Sequence, residues 1–383
     1  MKHKKKIAYI SGTRADFGLM TPVLKAIEKS KKLSLQMYVT GMHLMPLFGE
    51  TITDVKKLFP KAQRIEGVFN TDNRSGMAQF AGMFFPKVVD AFTKDRPDFV
   101  LILGDRVEML VIAVVCLYLG IPTGHLHGGE RTTTIDDAAR HAISKLASLH
   151  LTTTRDSAGR LKKMGEEEWR IHIVGAPALD TIRSETLPTR EELGAKIGID
   201  ATKPYILVVQ HPVSGETDEA GEQMNETLAA VKSLTLPVVV IYPNADTGGK
   251  EIIAEIEKEK GNPFFHIFPN IAHTDFLALQ CFASVWVGNS SGALIESASF
   301  GTPVVNIGTR QNGRIRGENV TDVGYDMKAI KKALEKSLFD TDYRVALKKS
   351  KNPWGDGKTG PRVAKFLEKL TIDAKLLNKQ IGN

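Results

Sequence analysis

Short apolar runs alternate with stretches whose apolar residues recur every three or four positions, and this alternation starts almost at the first residue. A strand buried on both faces reads as a near-continuous apolar run, whereas an amphipathic helix repeats its apolar residues at helical spacing. Residues 7–10 predict a strand, Leu19, Val23 and Ile27 a helix, and residues 35–39 the next strand. Further strands are expected at 99–103, 123–126, 149–152 and 171–174. A stretch containing proline and many charges, 184–203, breaks the alternation and predicts a linker. Beyond it the pattern restarts, with strands expected at 205–209, 238–241, 264–267, 285–287 and 303–306.

This grammar predicts an α/β protein of two Rossmann-like domains facing a cleft, with parallel sheets covered by helices on both faces. The expected domains are 1–183 and 184–360. A tail of 361–383 is expected to carry a helix from 362 to about 378 that packs back on the N-terminal domain. The tail's Gly357, Lys358 and Thr359 imitate a phosphate loop, but Asn352 stands where that motif needs its first glycine and no strand precedes it.

Composition narrows the class. Of 383 residues 42% are hydrophobic and 25% charged, as in ordinary soluble proteins. The formal charge of +7 is concentrated in part at Lys2, Lys4, Lys5 and Lys6, a solvated basic end, so no nucleic-acid partner is expected. Cys116 and Cys281 lie inside apolar runs, which points to buried thiols and a cytoplasmic protein. The longest apolar run, 109–119, falls short of the roughly 20 residues that span a bilayer, and no signal-peptide core follows the basic start, so no membrane association is expected.

Candidate chemistry gathers at strand ends, where open α/β sheets bind ligands. Between 104 and 137 stand Asp105, Arg106, Glu108, His125, His127, Glu130, Arg131, Asp136 and Asp137, around two apolar runs. His125 and His127 alternate on one expected strand and so project to one face, close to Glu130. Imidazoles and a carboxylate are also metal ligands, but an acid/base role suits the neighbouring Asp105 and Asp136 better, and no metal is expected. The first strand is followed by no Gly-x-Gly-x-x-Gly fingerprint, so no nicotinamide or flavin cofactor is expected. It ends instead in Ser11, Gly12, Thr13, Arg14, Ala15 and Asp16, where Gly12 permits close approach, Arg14 suits a diphosphate and Asp16 suits a helix cap. In the second half, 287–296 places Ser290 and Ser291 where a helix begins, with Glu296 a turn further on and suited to ribose hydroxyls. Three more polar strand ends follow apolar runs there: His211, Asn244 with Asp246, and Arg310.

With these residues in view, the chain resembles the hydrolysing UDP-N-acetylglucosamine 2-epimerases of sialic acid biosynthesis, within the wider UDP-sugar 2-epimerase family. The matching segments are 12–16, 40–44, 103–106, 125–130, 140–145, 244–246, 288–296 and 308–311. The resemblance implies the two-domain glycosyltransferase-B fold and a homodimer or homotetramer. It also implies anti elimination of UDP to 2-acetamidoglucal, then hydration to free N-acetylmannosamine, with no cofactor. Asp105, His127, Glu130 and Asp136 would carry the acid/base work, with His43 and His125 in support. Arg14, Gly18, Arg106, His211, Asn244, Phe276, Ser290, Ser291, Glu296 and Arg310 would hold the UDP portion. Relatives that act on UDP- or GDP-linked 2,4-diacetamido-2,4,6-trideoxy sugars, and non-hydrolysing epimerases, share the local motifs.

Overall fold

The computed structural model describes residues 4–45, 50–67, 74–131, 136–213, 215–244 and 248–380. The described residues within 4–131, 136–181 and 354–380 form one compact unit, and those within 182–353 form a second.

In the first unit, β1 (Lys5–Ser11), β2 (Leu33–Val39), β3 (Gln63–Arg64), β4 (Phe99–Leu103), β5 (Thr123–Leu126), β6 (Leu149–Thr152) and β7 (Ile171–Ile173) form a parallel sheet. The spatial order is β3, β2, β1, β4, β5, β6, β7, so the winding direction reverses between β1 and β4. Such a reversal opens a crevice at the carboxyl ends of the two strands. In the second unit, β8 (Ile206–Val209), β9 (Val238–Ile241), β10 (Phe265–Phe268), β11 (Val285–Gly288), β12 (Val304–Ile307) and β13 (Val320–Val323) are again all parallel. Their order, β10, β9, β8, β11, β12, β13, puts the reversal between β8 and β11.

The apolar runs do what their pattern requires. Successive side chains of a strand point to opposite faces, and in β8 Ile206 and Val208 join one core cluster while Leu207 and Val209 join the other. In the first unit all five residues of β4 are buried.

Two expectations need correction. The stretch 184–203 is not a plain linker: it contains the helix Arg190–Ile197, whose Leu193 and Ile197 enter the core. Thr189 and Glu192 close a capping box at its start and Gly198 ends it in the left-handed conformation, so the local signals for a helix are complete. The tail is two helices, Thr359–Lys369 and Ala374–Leu377, because Asp373 caps a fresh start at the Leu376 N–H. The stretch 71–85, rich in glycine, methionine and phenylalanine, reads from sequence as either a mobile lid or a buried dimer helix; 71–73 lie outside the described residues, and 74–85 belong to the helix Arg74–Lys94.

The helix Thr359–Lys369 is fixed at both ends by residues distant in sequence. The Asp180 carboxylate accepts from the Thr359 and Gly360 N–H groups at 2.8 Å each, and Lys5 Nζ donates to the carbonyls of Leu367 and Leu370 at 2.6 and 2.5 Å. An acid at the amino end and a cation at the carboxyl end both oppose the helix dipole favourably. Val363 and Leu367 of this helix are fully buried in the first unit's core. Arg170, also fully buried, holds the following segment by donating to the carbonyls of Lys375, Leu376 and Asn378. Among the described residues no helix is long and apolar enough to cross a membrane.

Candidate functional site

In the first unit, β1 turns through Ser11, Gly12 and Thr13 into the helix Arg14–Lys29. Asp16 anchors this turn: its carboxylate accepts from the Gly12 and Thr13 N–H groups at 3.1 and 2.8 Å and from the hydroxyls of Tyr9, Ser11 and Thr13 at 2.9, 2.9 and 3.0 Å. Ser11 has a single hydroxyl proton, and the carboxylate can only accept it. The His43 Nε2, 2.9 Å from Ser11 Oγ, is therefore the donor in that contact, and His43 Nδ1 accepts from the Thr51 hydroxyl at 2.7 Å. His43 is fully buried, and burial lowers its pKa. With both nitrogens engaged it supports the turn. Arg14 opens the helix on its exposed side, and Gly18 has open space where a Cβ would stand.

Across the reversal, β4 ends in Gly104, Asp105 and Arg106. Asp105 pairs with the guanidinium of Arg140, which is buried, donates to the His127 carbonyl at 3.1 Å and lies 3.8 Å from Asp137. Arg106 lies 3.3 Å from Glu108, a carboxylate with no exposure at all. A Cβ on Gly12 would come within 2.8 Å of Glu108 Oε1, so the missing side chain at position 12 makes room for that acid. Gly12 thus admits a neighbour, where the sequence suggested it would admit a ligand.

β5 ends at Leu126, and the expected alternation of His125 and His127 ends with it. His125 points into the unit, donating from Nε2 to the Gly104 carbonyl at 2.7 Å and accepting at Nδ1 from Ser144 at 3.0 Å. Burial pushes its pKa down to about 3, so the ring is neutral and positions the turn that carries Asp105. Neither nitrogen is left for a metal. His127 lies past the strand in the left-handed region, φ 59°, which turns its ring to other partners. Its Nδ1 is 2.6 Å from Glu130 Oε1, and the same oxygen accepts from the Thr153 hydroxyl at 2.9 Å. Its Nε2 is buried with no hydrogen-bond partner among the described residues. Asp136 begins the helix Asp136–Leu146 that also carries Arg140 and Ser144; its side chain lies outside the described atoms.

In the second unit the reversal between β8 and β11 gathers the other candidates. Gly288 adopts φ 125°, and a Cβ there would stand 2.1 Å from the Val209 carbonyl, so the two strand ends approach only because this residue is glycine. Next to it Asn289, fully enclosed, ties the site together. Its amide accepts from the His211 N–H at 2.7 Å and donates to the His211 carbonyl at 2.9 Å, while its own carbonyl accepts from Arg310 at 3.1 Å and Gln311 at 2.8 Å. His211 Nδ1 accepts from the Asn244 N–H at 3.0 Å, which leaves the ring proton on Nε2, and burial pushes this pKa down to about 3. His211 is thus a neutral donor. Ala245 and Asp246 lie outside the described residues.

Ser290 precedes the helix Ser291–Ile295, yet its hydroxyl makes no capping bond, and both serines are partly exposed. Glu296 accepts from Gln280 at 2.8 Å, and burial pushes its carboxyl up to about 7. Phe276 packs edge-on against Trp286, ring centres 5.6 Å apart, at the margin of the core.

Arg140, Thr153 and Asn289 were given no role by the sequence. Their partners stand well apart in the chain or are main-chain groups, and neither kind of pairing leaves a mark in sequence pattern.

The profile of a family described as UDP-N-acetylglucosamine 2-epimerase matches residues 25–368. The "UDP-N,N'-diacetylbacillosamine 2-epimerase (hydrolyzing)" of Legionella pneumophila is 38% identical over 379 residues, 98% of this chain and 98% of its own. The UDP-N-acetylglucosamine 2-epimerase of Neisseria meningitidis serogroup B is 35% identical over 342 residues, 88% of this chain and 90% of its own. The solved structure of UDP-GlcNAc 2-epimerase from Neisseria meningitidis bound to UDP-GlcNAc shares the fold, with a TM-score of 0.79 over 95% of this chain and 100% of its own at 20% identity.

Proposed function

The chain belongs to the UDP-N-acetylglucosamine 2-epimerase family, and we propose that it is a hydrolysing member, converting UDP-N-acetylglucosamine and water to N-acetylmannosamine and UDP for sialic acid biosynthesis. The observation that carries this reading is the His127–Glu130 pair, a base held in one tautomer whose other nitrogen has no hydrogen-bond partner among the described residues.

In the first step His127 Nε2 takes the C2 proton, the C2–H electron pair becomes the C1=C2 bond, and the C1–O bond breaks with its electrons leaving on UDP. Glu130 stabilises the imidazolium through Nδ1–H. Asp105, paired with Arg140, faces the positive charge that develops at C1 as the bond to UDP stretches. In the second step the oxygen of water adds to C1 and a proton adds to C2 on the opposite face, giving the free 2-epimer. The second unit supplies the diphosphate contacts through Arg310, His211 Nε2–H and the serine pair, and the ribose contact through Glu296.

Relatives on both sides of one choice of sugar support a second reading. The Legionella protein matches at higher identity and wider coverage than the meningococcal one, which favours UDP-N,N'-diacetylbacillosamine as the sugar. The elimination and hydration would be the same.

Incubation with each nucleotide sugar in heavy water, followed by NMR, tests the reaction and the substrate together. Free UDP with a C2-deuterated free sugar is expected, and the larger kcat/KM names the sugar. A 2-epimer still attached to UDP would replace the hydrolysing reading with the non-hydrolysing one.

A further inference from the structure

The polar loops of the second unit follow the carboxyl ends of its strands. At the opposite ends of β8, β11 and β12, beside Pro204, Ser284 and Pro303, lies a cavity of about 410 Å³. Arg190, Lys203, Arg344 and Lys348 line it, and no carboxylate does so among the described residues. Strands of four residues at about 3.3 Å each separate the two ends of this sheet by roughly 13 Å.

The two guanidinium groups are oriented without being neutralised. Arg190 Nη1 donates to the Ala201 carbonyl at 2.8 Å, and its guanidinium carbon lies 4.5 Å from the centre of the Phe282 ring. Arg344 Nη1 donates to the carbonyls of Ser284 and Ser337 at 3.2 and 3.0 Å. A guanidinium carries five N–H donors, so these neutral partners leave most of each fork unused and all of its charge in place. Lys203 does have an acid, Asp200 at 3.3 Å, but both side chains are exposed and water screens that pair. Several cations around a concave, partly apolar wall focus positive potential and concentrate anions.

We propose that this cavity is a second anion site, distinct from the nucleotide loops, that binds the phosphoryl group of a small phosphorylated metabolite. Its volume lies within the range of small-molecule sites, about 300–1,000 Å³, and exceeds what a bare phosphate needs. Two planar forks favour a phosphoryl group over a single carboxylate because each fork can bind two of its oxygens.

The test is calorimetric titration of the full chain with inorganic pyrophosphate while saturating UDP occupies the nucleotide loops. One pyrophosphate per chain is expected, with citrate binding at least about 10-fold more weakly. Arg190→Gln with Arg344→Gln should weaken pyrophosphate at least about 10-fold, the loss of about 1.4 kcal/mol or more, and leave UDP titration unchanged. Arg344 also ties its helix to the carbonyls of Ser337, in the preceding helix, and Ser284, so the exposed pair Lys203→Gln with Lys348→Gln is a second variant, expected to weaken pyrophosphate several-fold. A pyrophosphate signal abolished by UDP, equal binding of citrate, or undiminished binding in both variants would overturn the proposal.

Discussion

His127 Nδ1 lies 2.6 Å from Glu130 Oε1, and this one contact decides which nitrogen of the ring is available for chemistry. A carboxylate can only accept, so the proton sits on Nδ1 and the lone pair on Nε2. Thr153 holds the same carboxylate oxygen and so fixes the orientation of the acid as well.

Replacing Glu130 by Gln keeps the size of the side chain and removes the charge that stabilises the imidazolium. We expect kcat to fall by about 10²–10⁴-fold, the usual contribution of general acid–base catalysis, with UDP affinity unchanged. His127→Asn should do the same and also stop deuterium uptake at C2. A variant that lost UDP binding in step with turnover would assign the pair to structure.

Asp105→Asn leaves an oxygen to accept from Arg140 but no charge to face C1. Turnover should fall at least about 100-fold while the dissociation constant for UDP, measured by calorimetry, stays within about two-fold.

Glu296 makes the second unit sensitive to pH. Burial holds its carboxyl up to about 7, so it is neutral below that pH and ionised above it. Only the ionised form accepts from two ribose hydroxyls without a proton in the way. Affinity for UDP should therefore rise as pH increases through about 7, and Glu296→Gln should flatten that step in a pH series of binding titrations.

Acid should unfold the chain through its buried histidines. His125 and His211 are pushed down to about 3 by burial, while an unfolded histidine takes a proton near 6.5. Between these values the unfolded chain binds more protons than the folded one, so stability is full above about 6.5 and falls as pH drops toward 3. Each such histidine contributes a slope of about 1.4 kcal/mol per pH unit. Denaturant melts at pH 7 and 5 should show the loss, and His125→Gln should reduce it.

Lys379 donates to the carbonyls of Ser144, Lys145 and Ala147 and pairs at 2.5 Å with Glu166, which also meets His150 at 2.8 Å. Lys379→Met leaves a buried acid short of a partner, and a loss of roughly 3 kcal/mol in urea unfolding is expected. Lys145 remains beside Glu166 at 2.9 Å, which limits the damage.

The strands that are buried on both faces were legible because a run such as residues 99–103 has no other stable use. β13 was not, since its four residues place threonine and aspartate side by side between two valines and none of them is fully buried. The helix Arg190–Ile197 was legible in principle from Thr189, Glu192 and Gly198, but its charged face reads as a linker when periodicity alone is followed. In the candidate site, the residue types at strand ends announced themselves, as with Asp105 and Glu130. What those residues bond to did not: Asp105, in the turn after β4, meets Arg140 from the helix Asp136–Leu146, and His43 is enclosed between Ser11 and Thr51. The left-handed turn at His127 also escaped, since no sequence rule places a non-glycine residue there, and it separates two histidines that strand alternation would have kept together.

Residues 354–380 complete the unit that residues 4–181 begin, with Asp180 and Lys5 as the two fixings of the returning helix. On the ribosome the earlier portion must therefore wait, with the surface that Val363 and Leu367 will cover still wet, while all of the second unit is translated. At about 5–20 residues per second that interval is on the order of ten to thirty seconds. The part of the protein made first is the part finished last, and nascent-chain chaperones have their longest opportunity there.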